Sequence, residues 1–413
     1  MRNILLATTA LAAVAGFASA ANAQIKVTLG GYTEFFAAIY DNSLINGTDR
    51  EFQLETEIVV RADGKADNGL LYGAKIELQN GVPTAGTTGV GTDEASVYLG
   101  GSWGRLELGD FDGAADTLAI FAPLTGVEAL DGDGIDFLAV TGVSFAGKTG
   151  TFELGRTPWG AAIKAPDSGD ATKIMYLTPR FMGFQAGFSY APENGDEAQN
   201  VITTKNSRDY SDFLEFGINY VNTFDGVSVS ASATGTSGNG KGNTFTSTTT
   251  PARTGTAVVN GVEVPVNLPA VTTTTTNPAL KNFTAWQLGA QVGYAGFKFG
   301  GSYIDADDFN VPVGTNSGDQ HAWNVGATYT TGPATVGLFY SDSEGYKRAP
   351  GTYADSYELY GISGTYVLAP GFLIQSDLLY LEEDLKTSAA ATAAANKVST
   401  DGYVWVVSTR LNF

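Results

Sequence analysis

Trp286-Gln287-Leu288-Gly289-Ala290-Gln291-Val292-Gly293-Tyr294 changes character at every step. Trp286, Leu288, Ala290, Val292 and Tyr294 are apolar, and the residues between them are Gln or Gly. A period of two belongs to an extended chain, whose successive side chains point to opposite faces. One face is therefore greasy and bounded by aromatics, while the other is polar or bare. Nine residues suit a tilted strand that crosses hydrocarbon, for which ~9–11 are needed. Ala295-Gly296 then interrupts the pattern, which restarts at Phe297, as a tight hairpin requires.

The same period runs through the chain. Phe52, Leu54, Thr56, Ile58 and Val60 alternate with Glu51, Gln53, Glu55, Glu57 and Arg61, and Leu70, Tyr72, Ala74, Ile76 and Leu78 alternate with Gly73, Lys75, Glu77 and Gln79. Sixteen such segments are predicted, near 25–39, 51–63, 68–79, 94–100, 105–110, 172–179, 183–190, 212–221, 227–235, 284–294, 297–304, 321–330, 334–340, 355–368, 372–381 and 402–413. Short Gly-, Pro-, Asn- and Asp-rich connections alternate with long polar ones near 40–50, 80–93, 111–171, 191–211, 236–283, 305–320, 341–354 and 382–401. That asymmetry predicts an all-β, 16-stranded antiparallel transmembrane β-barrel, with short turns on one side and long loops on the other. In hydrocarbon every backbone polar group must be paired, and a closed barrel does this without edges. Its wet lumen also hides Glu, Lys, Arg and Gln that a dry core would not hold.

Composition removes other classes. The 413 residues contain no Cys and a single His, His321, so thiolate metal sites, disulfides and His-rich centres are excluded. A net charge of −20 disfavours nucleic acid as a partner. Residues 1–23 read as a cleaved export signal: Arg2, an apolar run from Ile4 to Ala15, then Ala21-Asn22-Ala23 before Gln24. The barrel domain is expected over 24–413. Outer-face aromatics such as Tyr190, Tyr220, Tyr294, Tyr303, Tyr329, Tyr340 and Tyr380 sit near strand ends, where a ring in lipid and a wet hydroxyl are favoured. Tyr403, Trp405, Val407, Thr409, Leu411 and Phe413 share one face of the last segment. An alternating strand ending in Phe resembles the signal read by the outer-membrane insertion machinery, so Tyr403, Trp405, Leu411 and Phe413 are its expected carriers.

Val27-Thr28-Leu29-Gly30-Gly31-Tyr32, Leu106-Glu107-Leu108-Gly109-Asp110, the run from Tyr176 to Phe184 and the run from Ser408 to Phe413 together resemble a Gram-negative general diffusion porin of the alphaproteobacterial type. The resemblance spans the whole mature chain. It implies a homotrimer in the outer membrane of a Gram-negative bacterium, with periplasmic turns, extracellular loops and a third loop folded inward as a constriction. Its implied partners are the lipid bilayer, lipopolysaccharide, and the small hydrophilic solutes and ions that pass. The long third loop, 111–171, and the Thr-rich loop, 236–283, depart from the pattern.

The third loop is the expected constriction. Asp110, Asp112, Asp116, Glu128, Asp131, Asp133 and Asp136 precede any basic residue in it. Lys26, Arg61, Lys75, Arg105 and Arg410 occupy inward positions of the wall. Acids facing bases across an eyelet would set up a transverse field, and an acidic excess predicts weak cation selectivity. Asp131, Asp133 and Asp136 offer oxygen ligands to Ca²⁺, but Ile135 stands where a ligand belongs and no closing Glu follows, so an acidic turn is the favoured reading and no other cofactor is expected.

Gly142-Val143-Ser144-Phe145-Ala146-Gly147-Lys148-Thr149 satisfies a phosphate-loop pattern, but a strand-like segment follows where a helix is required. A hydrolase would depend on His321, beside Trp323 at a strand end, with no nucleophile-elbow sequence, so no enzymatic activity is expected. The alternatives are a channel selective for a sugar or other nutrient, which wants a lumenal aromatic track from residues such as Tyr32, Phe36, Tyr40, Tyr98 and Phe339, and a secreted β-rich surface adhesin. The Thr-rich stretch reads as an exposed loop without a core.

Overall fold

The computed structural model describes residues 25–42, 50–80, 90–127, 139–145, 148–153, 164–194, 210–241, 245–250, 253–259, 262–268, 271–276, 279–314, 320–345, 356–386 and 397–413. The expected export signal, and the calls on Glu128, Asp131, Asp133 and Asp136, lie outside them.

The first strands are β1 (Lys26–Asn42), β2 (Arg50–Lys65), β3 (Leu71–Asn80), β4 (Val90–Gly101) and β5 (Gly104–Asp110). A short helix, α1 (Ala114–Leu118), and the pair β6 (Ala139–Phe145) and β7 (Lys148–Glu153) come next. They precede β8 (Thr172–Leu177), β9 (Phe184–Glu193), β10 (Tyr210–Phe224) and β11 (Val227–Gly240). Four strands follow in the Thr-rich stretch: β12 (Phe245–Thr250), β13 (Arg253–Val259), β14 (Val262–Leu268) and β15 (Val271–Thr276). The chain continues through β16 (Phe283–Tyr294), β17 (Phe297–Asp307), β18 (Gln320–Thr331) and β19 (Ala334–Glu344). It ends with β20 (Ser356–Ala369), β21 (Phe372–Lys386) and β22 (Lys397–Asn412).

Sixteen strands, β1–β5, β8–β11 and β16–β22, close into one antiparallel barrel in chain order. Closure pairs β1 with β22, Glu34 opposite Arg410, and Phe413 and Gly31 exchange backbone bonds of 3.0 and 3.1 Å. No sheet edge is left in the barrel, as hydrocarbon demands. On the short-connection side, Asp225-Gly226 and Ala295-Gly296 turn the chain in two residues with positive φ at both positions. Such turns match the twist of the flanking strands.

The quoted stretch behaves as its period requires. On β16 the residues Trp286, Leu288, Val292 and Tyr294 are exposed outward, whereas Gln287 is fully buried inward. From Trp286 to Tyr294 is roughly 26 Å along the strand, enough for the apolar band of a tilted barrel. Aromatics mark both rims. Trp323–Tyr340, Tyr340–Tyr360 and Tyr360–Tyr380 have ring centroids 4.9, 4.8 and 6.3 Å apart on the long-loop side. Phe184–Tyr220 and Phe297–Tyr329 lie 4.7 and 4.3 Å apart near the short turns. The outward faces of β3–β5 are instead largely aliphatic, with Ile76, Leu78, Val97, Leu99, Leu106 and Leu108.

Two differences from the sequence reading have physical causes. The Thr-rich stretch is not structureless: β12 pairs with β15 and β13 with β14, none of them with the barrel. Thr and Val are β-branched, and a run of them favours extended pairing. The lumen is also not polar throughout. Phe36, Leu359, Leu379, Leu381, Val404 and Val406 form a buried inner-wall cluster with Val127, and Tyr210, Phe213, Phe283 and Ile304 form another with Ala165 and Ala171. Those faces carry apolar side chains because protein, and not water, covers them.

A candidate pore constriction

The described outgoing limb of the third loop, residues 113–127, lies inside the barrel and follows its wall. Ala114 N–H donates to Ser189 Oγ at 2.9 Å on β9, and Ile120 N–H to Ser232 Oγ at 2.8 Å on β11. Gln291 on β16 donates to the Phe121 carbonyl at 2.7 Å, and Ala122 N–H donates to Asn324 Oδ1 at 2.8 Å on β18. Thr365 on β20 accepts Gly126 N–H at 3.0 Å, and Asp377 on β21 accepts Val127 N–H at 2.9 Å. Loop backbone groups that would otherwise be orphaned are thus satisfied by inward side chains of the wall. Close approach needs a floor without side chains. A Cβ at Gly289 would lie 1.5 Å from the Ile120 carbonyl oxygen, so only Gly serves there. Gly187, Gly217, Gly326 and Gly337 meet Leu118, Ala114, Pro123 and Thr125 in the same bed. The Gly face in the sequence is the seat of the loop.

Residues 113–127 therefore cover the wall from β9 to β21, the apolar patch continues over β22 and Phe36, Ala38 and Tyr40 of β1, and the wall from β2 to β5 is left to carry charge. Here the register matters. Between Ile76 and Leu78 on β3, partner β4 has one extra residue, a β-bulge beside Asp93 and Glu94. One carboxylate oxygen each from Glu57, Glu77 and Asp93 lies within 4.8 Å of the others, a spacing that a hard cation can share. Lys75 pairs with Glu77 at 3.1 Å and with Glu94. Glu55 accepts bonds from Tyr32 Oη at 2.5 Å and Gln79 Nε2 at 2.7 Å. The returning limb adds Asp170, whose carboxyl is pushed up to about 7 by burial and then by Asp112, Glu94 and Asp93.

The expected acids separate on this geometry. Asp110 is buried and accepts from Thr172 Oγ1 at 2.5 Å; Asp116 pairs with Lys164 at 2.8 Å, tying the two limbs of the loop together. Asp112 is the exposed one of these three. The expected bases are on the inner wall, but three are matched locally. Lys75 is held as above; Arg105 bonds Glu107 at 2.8 Å and stacks 3.9 Å over Tyr98; Arg410 bonds Glu34 at 3.1 Å and stacks 3.7 Å over Tyr32. Lys26 and Arg61 are exposed near the short turns. The sequence reading passed over Glu55, Glu57, Glu77, Asp93, Glu94 and Asp170 as site residues. The first three were already placed on the polar face by alternation. Asp93-Glu94 sits at a bulge, which strict alternation cannot register.

The set-aside motifs stay set aside. The phosphate-loop pattern falls on β6 and β7, which pair with each other, and no helix opens from it among the described residues. His321 lies at the rim, its ring 6.2 Å from that of Tyr303 and its Nε2 4.0 Å from Glu344.

Comparison with known proteins agrees with the architecture. The Gram-negative porin family matches residues 7–384. Solved structures of similar fold include a triple mutant of the Rh. blastica porin, 17% identical, with a TM-score of 0.52, covering 94% of this chain and 100% of its own. An anion-selective porin from Comamonas acidovorans is 17% identical with a TM-score of 0.57 and the same coverages. A loop-deleted OmpT of Vibrio cholerae is 12% identical, with a TM-score of 0.55 and coverages of 94% and 99%. No curated protein sequence matches significantly. A closed barrel with lipid-facing aromatics, a wall-bound inner loop and a family match over most of its length has one reading: the chain belongs to the Gram-negative porins, channel proteins of the outer membrane.

Proposed function

We propose that the protein is a general diffusion channel for small hydrophilic solutes and ions, with a weak preference for cations. The observation that carries the preference is the acidic inner wall: Glu55, Glu57 and Asp93 share the passage with Asp112 and Asp170, while Lys75 is held between Glu77 and Glu94, Arg105 by Glu107 and Arg410 by Glu34. Fixed negative charge in a narrow, low-dielectric bore draws cations and repels anions. The fold does not choose the sign, since a Comamonas neighbour of the same fold is anion-selective. The acids Glu128, Asp131, Asp133 and Asp136 would add to the same field, and a Ca²⁺ held by the last three would reduce it. Reversal potential in a planar bilayer under a salt gradient tests the reading; preference for the anion overturns it.

A homotrimer is part of the proposal. The outer face of β3–β5 carries aromatics only near the short turns, at Tyr72 and Trp103, and is aliphatic towards the long-loop side where β16–β21 have an aromatic rim, which suits burial against a second copy better than contact with headgroups there. The rest of the outer face would meet lipid and lipopolysaccharide. Tyr403, Trp405, Leu411 and Phe413 are the proposed insertion signal, all exposed on the outer face. A nutrient-selective channel finds less support: Phe36, Tyr40 and Phe339 are buried in the inner-wall cluster, and Tyr32 and Tyr98 lie under arginines.

A further inference from the structure

Two wall carboxylates have no place in the selectivity reading. Glu215 on β10 is 1% exposed and Asp377 on β21 is fully buried. Glu215 Oε2 accepts Ala115 N–H at 3.3 Å and Ser189 Oγ at 3.1 Å, while Oε1 accepts Ser168 N–H at 2.9 Å and Ser168 Oγ at 2.6 Å. One carboxylate thus grips both the outgoing and the returning limb of the loop. Asp377 accepts Val127 N–H at 2.9 Å, and its neighbour Gln375 donates to the Gly126 carbonyl. Each carboxylate also presses on a glycine. A Cβ at Gly113 would lie 1.6 Å from Glu215 Oε2, and one at Gly126 1.8 Å from Asp377 Oδ1.

We propose that Glu215 and Asp377 are positioning residues of the channel, paired clamps that pin both ends of segment 113–127 to the wall and keep the bore open along β2–β5. The inference rests on the channel reading above. Glu215 is a buried carboxylate satisfied by donors of both limbs, and Asp377 is a buried one that takes Val127 N–H on Oδ2; bonds to carboxylates are the stronger kind, with a high cost when one partner is lost. Between them the loop is held by neutral bonds, at Ser232, Gln291, Asn324 and Thr365 among others. Loss of a clamp frees one end of the segment, and the free end swings into the passage.

The test is single-channel recording of Glu215→Ala and Asp377→Ala in planar bilayers, with heat-modifiable gel mobility as the check that each barrel is folded. Each variant is expected to raise the ratio of closed to open time by about a hundredfold. Gly113→Ala leaves Glu215 in place but displaces its carboxylate, so it is expected to gate like Glu215→Ala and to add nothing in that background. Glu215→Gln, which keeps one acceptor oxygen, falls between. Folded variants that gate as the wild type does, or additive effects of Gly113→Ala and Glu215→Ala, overturn the clamp. A wild type that does not conduct overturns the channel reading itself, and the clamp with it.

Discussion

Cation preference is expected to rise with pH, with a midpoint near neutrality. Asp170 is held up to about 7 from an ordinary 3.8, first by burial and then by Asp112, Glu94 and Asp93. A carboxyl raised in the folded state is neutral below that value and charged above it. Between pH 6 and 8, as rough bounds about the midpoint, Asp170 therefore adds one negative charge to each passage. At about 7 Å in water a unit charge acts on a passing ion with about 0.6 kcal/mol, and screening at ~0.1 M salt leaves about half. The effect has opposite sign for cation and anion, so their permeability ratio should change by about threefold. The assay is reversal potential against pH for the wild type and Asp170→Asn. The variant should show a smaller step than the wild type. A step of unchanged size and midpoint in Asp170→Asn refutes the assignment. Linkage gives a second reading of the same group. Because the folded value is raised, its contribution to stability is full below 3.8 and is lost as pH rises through about 7.

Three further outcomes are expected. Gly289→Val forces a side chain where the Ile120 carbonyl stands, so conductance should change while heat-modifiable mobility is retained. Phe413→Ala should lower the yield of folded barrel during membrane assembly, read as the fraction with heat-modifiable mobility, and leave the conductance of assembled channels unchanged. Ile76→Glu on the aliphatic outer face of β3 should shift the crosslinked species from trimer to monomer, provided the barrel still inserts; a trimer that survives it argues against that face as the contact.

The barrel was legible because its signal is local and repeated. Each of the sixteen segments is an alternation written in consecutive residues, and all sixteen coincide with barrel strands, many of them longer than predicted. The short turns were legible too, since Asp225-Gly226 and Ala295-Gly296 state their backbone requirement outright. The seat of the third loop was not. Val127 bonds Asp377 across 250 positions and Ala122 bonds Asn324 across 202, and no periodicity encodes such pairings. The inward glycines announced bareness without saying what rests on it. Asp93 and Glu94 escaped for the opposite reason, since a one-residue bulge breaks the rule by which the other wall acids were found.

The glycine-floored bed behind the third loop divides the barrel's freedom to change. Behind the loop, from β9 to β21, an added methyl group at a position such as Gly289 collides with the chain resting there, so that arc is committed to one tenant. Opposite it, on β2 to β4, inward acids such as Glu55, Glu57 and Asp93 border the bore, and exchanging them displaces no chain resting on the wall. A channel of this build can retune what it admits by rewriting a few positions on that arc, with the packed remainder left as an unchanging scaffold.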